Sequence, residues 1–164
     1  MNRLTNIPTD NIRIELGCGD AKHQREGYVH LDINDNGQDC VWDITKGLPF
    51  QDNSCLEIYA AHTFEHITRQ DLITVFNECW RCLKPTGFLW LVVPAWDSRS
   101  RFIIPHVTQF DEGTFKHLTK EFNPDYDDLS TLHSSTLMMW ETIELVTNHR
   151  PDIHWKARPV KPVL

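Results

Sequence analysis

The chain has 164 residues, 40% of them hydrophobic and 24% charged, and its 16 basic against 23 acidic residues leave a formal charge of −7. A domain of about 150 residues hides roughly 70% of the surface its unfolded chain exposes, so this chain can bury a core without a metal or disulfide staple. Net acidity disfavours nonspecific nucleic-acid binding, which needs Lys and Arg to neutralise phosphates.

No window approaches the roughly 18 apolar residues of a membrane span, and no apolar run follows Arg3 as a secretory leader would require. A cytoplasmic protein with no membrane association is therefore expected. The five cysteines, Cys18, Cys40, Cys55, Cys79 and Cys82, are odd in number and match no small secreted framework, so reduced thiols are the expectation. With no repeat, low-complexity tract or Ser/Gly linker, residues 1–164 are read as one domain.

Asn11-Ile12-Arg13-Ile14-Glu15-Leu16 is a β-branched run ending at Gly17-Cys18-Gly19, and Tyr28-Val29-His30-Leu31-Asp32 is a second run ending in an acid. Cys40-Val41-Trp42-Asp43 and Leu56-Glu57-Ile58-Tyr59-Ala60 are expected as strands three and four. From Thr68 to Leu83, Leu72, Ile73, Val75, Phe76, Cys79, Trp80 and Leu83 recur at helical spacing, and Lys84-Pro85-Thr86-Gly87 is a stop signal. Phe88 to Pro94 is a continuous apolar run that suits a strand covered on both faces. A short helix is expected near Asp111 to Leu118; residues 120–136 give no clear pattern. Trp140 to Asn148 and Ile153 to Arg158 alternate as a closing antiparallel hairpin. Strands that alternate with helices and end in a hairpin predict an α/β open sheet, mostly parallel.

In such sheets ligands bind beyond the carboxyl ends of the strands, where the strand order reverses. Those ends carry Gly17-Cys18-Gly19, Asp32, Asp43 and His62. A glycine pair lets a ligand approach the backbone, and an acid after the second strand can hold two ribose hydroxyls, which points to an adenosine-containing cofactor. Glu15 and Asp20 flank the glycine turn and the third glycine of a dinucleotide site is absent, so pyrophosphate would be repelled. The carboxylates suit a cofactor with an ammonium and a sulfonium group, as in S-adenosylmethionine.

Glu15-Leu16-Gly17-Cys18-Gly19 resembles the E-x-G-x-G first motif of the class I S-adenosylmethionine-dependent methyltransferases. Leu31-Asp32-Ile33, Trp42-Asp43-Ile44, Leu48-Pro49-Phe50 with Asp52-Asn53-Ser54, Glu65-His66-Ile67, and Leu83-Lys84-Pro85 with Gly87 resemble later elements of that family in the same order. The resemblance spans roughly residues 12–94, is nearest to the small type-11-like members, and implies a Rossmann-like methyltransferase sheet. It further implies that Glu15, Gly17, Cys18 and Gly19 form the cofactor turn, that Asp32 holds the ribose, and that Asp43 accepts from the adenine amino group. Ile33 and Ile44 would sandwich the adenine and His62 would line the methionine end. Gly19 and Asp32 are only 13 positions apart, so the first crossover helix must be a stub or a loop that leaves one sheet face thinly covered.

The implied reaction is in-line transfer of a methyl group to an oxygen or nitrogen of a small-molecule or sugar acceptor, with His62, His66 and His106 as candidate bases. Trp96 is a candidate for lining the acceptor pocket. Absence of an Asn-Pro-Pro-Tyr or Asp-Pro-Pro-Tyr element after the fourth strand argues against the nucleic-acid amino-methylating enzymes that carry it. Two other functions compete. An idle cofactor-binding subunit would support a partner, and the thin sheet face makes a homo-oligomer or partner subunit a further expectation. A zinc hydrolase would use His62-Thr63-Phe64-Glu65-His66, an H-x-x-E-H pattern, with Glu141 or Glu144 as a third ligand. That motif follows a strand and coincides with the family's Glu-His-Ile element, so no metal is assigned. Cys79-Trp80-Arg81-Cys82 lies within the best helix and is read as core thiols.

Overall fold

A computed structural model describes residues 3–4, 7–119, 138–147 and 151–161. Its strands are β1 (Arg3–Leu4), β2 (Ile12–Leu16), β3 (Val29–Asp32), β4 (Cys40–Val41), β5 (Cys55–Ala61), β6 (Leu83–Pro94), β7 (Trp140–Val146) and β8 (Asp152–Pro159), with helices α1 (Arg69–Cys82) and α2 (Glu112–Lys116). Among the described residues they form one eight-stranded sheet in the order β1-β4-β3-β2-β5-β6-β8-β7. The inner strands β4 to β6 are mutually parallel, whereas β1, β8 and β7 join antiparallel. The chain winds outward from β2 to β4 and then returns to β5, so the strand order reverses between β2 and β5. The expected open sheet and closing hairpin are present. The unreadable stretch 120–136 and the hairpin tip 148–150 lie outside the described residues. No helix among those described is long and apolar enough to cross a membrane.

Helix α1 starts where its capping chemistry allows. Thr68 Oγ1 accepts from the Asp71 amide at 3.2 Å and donates to Asp71 Oδ2 at 2.8 Å, which satisfies an otherwise orphaned backbone donor. Its apolar stripe buries Leu72, Val75, Phe76, Cys79 and Cys82. The sheet face beneath carries Ile12, Ile14, Leu16, Ile58, Ala60, Leu89, Leu91, Val93 and Trp155, all buried. The helix does not end in a separate turn. Leu83 pairs with Cys55 and Phe88 with Glu57, so residues 84–87, expected as a stop, form an irregular segment inside β6. Gly87 is required there, because a Cβ would lie 2.9 Å from the carbonyl oxygens of Cys55 and Leu56.

The opposite sheet face is covered differently. Between β2 and β3 stands one 3-10 turn, Ala21–His23, in place of a crossover helix. Arg25 follows it and lies 4.1 Å from the Tyr59 ring centroid and 5.1 Å from that of Trp90, while Lys156 sits 3.8 Å from Phe88. Half-buried rings under two cations thus occupy the face that the short crossover leaves open, as its 13-residue spacing predicts.

Arg81 fastens the loop before β5 to α1. Its guanidinium donates to both Glu78 oxygens at 2.7 Å, to Asp52 Oδ1 at 2.7 Å, to the Phe50 carbonyl at 2.9 Å and to the Leu48 carbonyl at 3.1 Å. The Leu48 amide closes the knot on Glu78 Oε2 at 2.7 Å. Hydrogen bonds from Arg81 hold the Glu78 carboxyl below its ordinary pKa. We expect Arg81→Met to cost about 1–3 kcal/mol in urea unfolding at pH 7, since bonds to charged groups contribute roughly that much at a half-exposed site. A lowered folded pKa gives stability that is present above the unfolded value, about 4.3, and lost as pH falls through the folded value. The gap between wild type and variant should therefore narrow below about pH 4. A gap constant from pH 7 to 3 would mean that only the carbonyl contacts matter.

Candidate cofactor and acceptor site

At the carboxyl ends of β2 to β5 lies a cavity of about 500 Å³, within the range of small-ligand sites. Gly17, Asp32, Ile33, Asp43, Ile44 and His62, all predicted from sequence, line it. Asn34, Trp42, Thr45, Thr63, His66, Ile67, Thr68 and Asp71 complete the wall.

Gly17 is left-handed, with φ of 66°. A Cβ there would fall 2.1 Å from Thr63 Oγ1, so only glycine lets the loop after β5 close on the loop after β2. The Thr63 hydroxyl lies 3.1 Å from both the Leu16 and the Ala61 carbonyl oxygens, linking the two strand ends. Gly19 is also left-handed, at φ 57°, yet a Cβ would meet nothing within 4 Å.

Asp32 organises the turn. Its Oδ2 accepts from the Gly19 amide at 3.0 Å and its Oδ1 from the Asn34 amide at 2.9 Å. Each carboxylate oxygen can accept a second bond, so both remain able to meet a diol. Asp43 caps the 3-10 turn Ile44–Lys46, with Oδ1 accepting from the Thr45 amide at 3.0 Å and the Thr45 hydroxyl at 2.7 Å. Ile33, 64% exposed, is an unusually bare aliphatic residue on the cavity wall, with Ile44 and Trp42 as its apolar companions.

Glu15, Cys18 and Gly19 are not among the residues that line this cavity. Glu15 is buried, accepting the Arg25 amide on Oε2 at 2.8 Å with His30 Nε2 at 3.6 Å, so its charge secures the short crossover. Alternation along β2 accounts for this: Glu15 shares the outward face with Arg13, opposite Ile14 and Leu16. Burial, with the charges of Asp32 and Glu15 nearby, pushes the Cys18 thiol up to about 12. It is a buried thiol at neutral pH that accepts from Gln24 Nε2 at 3.5 Å and packs within the turn.

The histidines gather around one acid. Glu65, on the turn Phe64–His66, is 1% exposed, and among the described residues neither of its carboxylate oxygens has a hydrogen-bond partner. His62 Nδ1 lies 3.4 Å and His106 Nε2 4.0 Å from Glu65 Oε1. His62 adopts φ of 51° as it leaves β5, and Glu65 raises its pKa with a contribution from Asp152, whose Oδ2 is 3.7 Å from Nε2. His62 and His66 border the cavity, whereas His106 is not among its lining residues. Of the lining residues, sequence reasoning gave no site role to Asn34, Thr45, Thr63, Ile67, Thr68 or Asp71. The Thr68-x-x-Asp71 capping signature was available for Asp71, but nothing marks a threonine whose partner is a missing Cβ.

A methyltransferase-domain family model matches residues 14–91. A search of the curated proteins gives no match. Among solved structures, the 16S rRNA (adenine(1408)-N(1))-methyltransferase of Catenulisporales acidiphilia is similar at TM-score 0.60 and 12% identity, over 94% of this chain and 88% of that one. A Haloferax volcanii methyltransferase complex with the activator Trm112 gives 0.59 at 14% identity, over 93% and 85%. An S-adenosylmethionine-dependent methyltransferase of Aquifex aeolicus gives 0.56 at 14%, also over 93% and 85%. At these identities the structural likeness shows the fold.

The two glycines make opposite demands. Gly17→Ala adds left-handed strain to a collision with Thr63 and should cost about 2–5 kcal/mol, against about 1–2 kcal/mol for Gly19→Ala in open space. Urea unfolding of both variants would show this order, and equal losses would place the constraint elsewhere.

Proposed function

We propose that the chain is a class I S-adenosylmethionine-dependent methyltransferase, a reading supported by the methyltransferase-domain match over residues 14–91, and that its cavity holds that cofactor against Asp32 and transfers the methyl group to an oxygen or nitrogen of a small-molecule or sugar acceptor. The observation that carries this is Asp32 at the end of β3, its carboxylate already fixed by two backbone amides and facing a cavity walled by Ile33, Trp42 and Ile44. The donor set fits the group: an acid for a diol, aliphatic and aromatic surface for a purine, and Asp43 beside them for an exocyclic amine. Among the described residues the lining holds no lysine or arginine to meet a pyrophosphate.

When bound, S-adenosylmethionine supplies a methyl group already made electrophilic by its sulfonium. The chain's work is then alignment, which can lower a barrier by roughly 7–11 kcal/mol. Asp32 and Gly17 anchor the ribose, and the apolar wall of Ile33, Trp42 and Ile44 beside them flanks the purine. His62 and His66, bordering the same cavity, are placed to hydrogen-bond the acceptor or receive its proton; His106 stands outside that lining.

Calorimetric titration with S-adenosylhomocysteine tests the cofactor site. Wild-type protein should bind, and Asp32→Ala should weaken binding by about 10–100-fold through loss of bonds to a charged acceptor. Asp32→Asn separates this from the loosened glycine turn, since it keeps one acceptor oxygen for a backbone amide. Absence of binding by folded wild type would overturn the reading.

A second reading is favoured by the sheet face that carries Tyr59, Phe88 and Trp90 without a helix over it among the described residues: transfer that requires a partner seated there. Labelled-methyl incorporation by the isolated chain into hydroxyl- and amine-bearing small molecules and sugars, with ribosomal RNA as comparison, separates the alternatives. Incorporation into a small acceptor supports the first reading, and incorporation into RNA alone would replace its acceptor class.

A further inference from the structure

Glu65 poses a problem that the cofactor site does not solve. A carboxylate 1% exposed needs compensation in a protein interior, yet among the described residues neither oxygen has a well-formed hydrogen bond, the nearest imidazole nitrogen, His62 Nδ1, being 3.4 Å from Oε1. The neighbouring imidazoles belong to His62, His66 and His106, and the ligand atoms of Glu65, His66 and His106 all lie within 4.8 Å of one another.

The tautomer of His66 is set by its partner. Its Nδ1 is 3.1 Å from the Pro105 carbonyl oxygen, which can only accept, so Nδ1 carries the hydrogen and Nε2 keeps its lone pair. An outer nitrogen bonded to a backbone carbonyl is the arrangement that orients metal-ligating histidines. The His66 and His106 rings meet edge to face, with centroids 4.8 Å apart.

The backbone holds these groups in place. The Glu65 carbonyl accepts from the Val107 amide at 2.8 Å and the Thr108 amide at 3.1 Å, while Thr108 Oγ1 donates to the Ile67 carbonyl at 2.6 Å. Three bonds thus stitch the turn after β5 to the segment after β6 and bring His106 to the acid. His62 meets Oε1 alone, at 3.4 Å from Nδ1, and Oε2 is left without a partner among the described residues.

We infer that Glu65, His66 and His106 bind one divalent transition-metal ion of the zinc type at the wall of the cavity. Two imidazoles and a carboxylate suit zinc and its neighbours in the first row. With ligands at about 2.0–2.2 Å, a tetrahedral ion needs ligand atoms about 3.4 Å apart, so the exposed His66 side chain must close inward and the 4.0 Å between Glu65 Oε1 and His106 Nε2 must shorten as well. This ligand set differs from the hydrolase pattern, because Glu65 is a ligand here and not a base, and His62 lies between Glu65 and Asp152. Three protein ligands leave a position for a hydroxyl or carboxylate oxygen, and His66 also lines the cavity. That last step rests on the methyl-transfer reading; the ion site does not.

The test is calorimetric titration of chelator-treated full chain with Zn²⁺, paralleled by Co²⁺ and its visible absorption. One ion per chain is expected, with a tetrahedral cobalt spectrum. Affinity should fall in Glu65→Gln and in His66→Ala by no less than the about 10–100-fold that loss of an outer-shell partner costs, with exposed His23→Ala as the unchanged control. His66→Ala alters an exposed side chain and keeps the test valid where Glu65→Gln perturbs folding. Lack of stoichiometric Zn²⁺ binding by wild type, or binding that survives His66→Ala, would overturn the site. S-adenosylhomocysteine titration of the same samples reads the cofactor site separately, so failure of one is distinguishable from failure of the other.

Discussion

The contact between Gly17 and Thr63 governs the geometry of the site. A side chain on residue 17 would coincide with the Thr63 hydroxyl, so the loops after β2 and β5 close on each other only because that position has no Cβ. The hydroxyl then bridges the carbonyl ends of both strands. Three consequences follow from this approach. Gly17 takes a left-handed turn, Gly19 is brought to Asp32, and the chain beyond Thr63 enters the tight turn that buries Glu65. The reversal point of a parallel sheet is where ligands bind. Here that crevice is shaped by an absent methyl group as much as by the groups present.

Much of this could be read from the sequence because it rests on local rules. Ile12 to Leu16 and Phe88 to Pro94 are apolar runs of strand length, and Thr68 to Leu83 keeps helical spacing behind a threonine cap. The 13-residue interval from Gly19 to Asp32 announced the missing crossover helix. What was not legible depended on register and long-range contact. Residues 84–87 look like a stop signal, yet they continue into β6 because the irregular pairing with β5 absorbs them. Two-residue β1 carries too little pattern to stand out. Glu15 looks like part of a binding motif, but strand alternation turns it to the outward face, where it accepts from the Arg25 amide and lies beside His30.

The short crossover has a structural cost and a specific compensation. Without a helix, the outward face of β2, β5 and β6 would expose Tyr59, Trp90 and Phe88 together. Arg25 and Lys156 lay their charges over these rings, and each such contact is worth about 0.5–1 kcal/mol when exposed. Burial and Glu57 raise the Tyr28 phenol to about 12, which keeps it neutral beside Arg25 across the physiological range. The cations therefore do part of the covering that apolar helix surface does on the α1 side, and they leave this face polar at its edge.

The same sequence element serves both halves of the site. Thr63 closes the glycine turn, and two residues later Glu65 carries an acid into the interior without a hydrogen bond to receive it. Removing that side chain would leave the helix entry at Thr68 unchanged, since Thr68 and Asp71 cap it independently. A buried acid that caps no helix and has no hydrogen-bond partner among the described residues is not explained by folding alone. Its three nearest ionisable neighbours are imidazoles, one bordering the cofactor cavity with its tautomer fixed by a carbonyl. The cost of burying Glu65 is therefore set against what those imidazoles can hold with it, and methyl transfer by alignment alone does not require that acid.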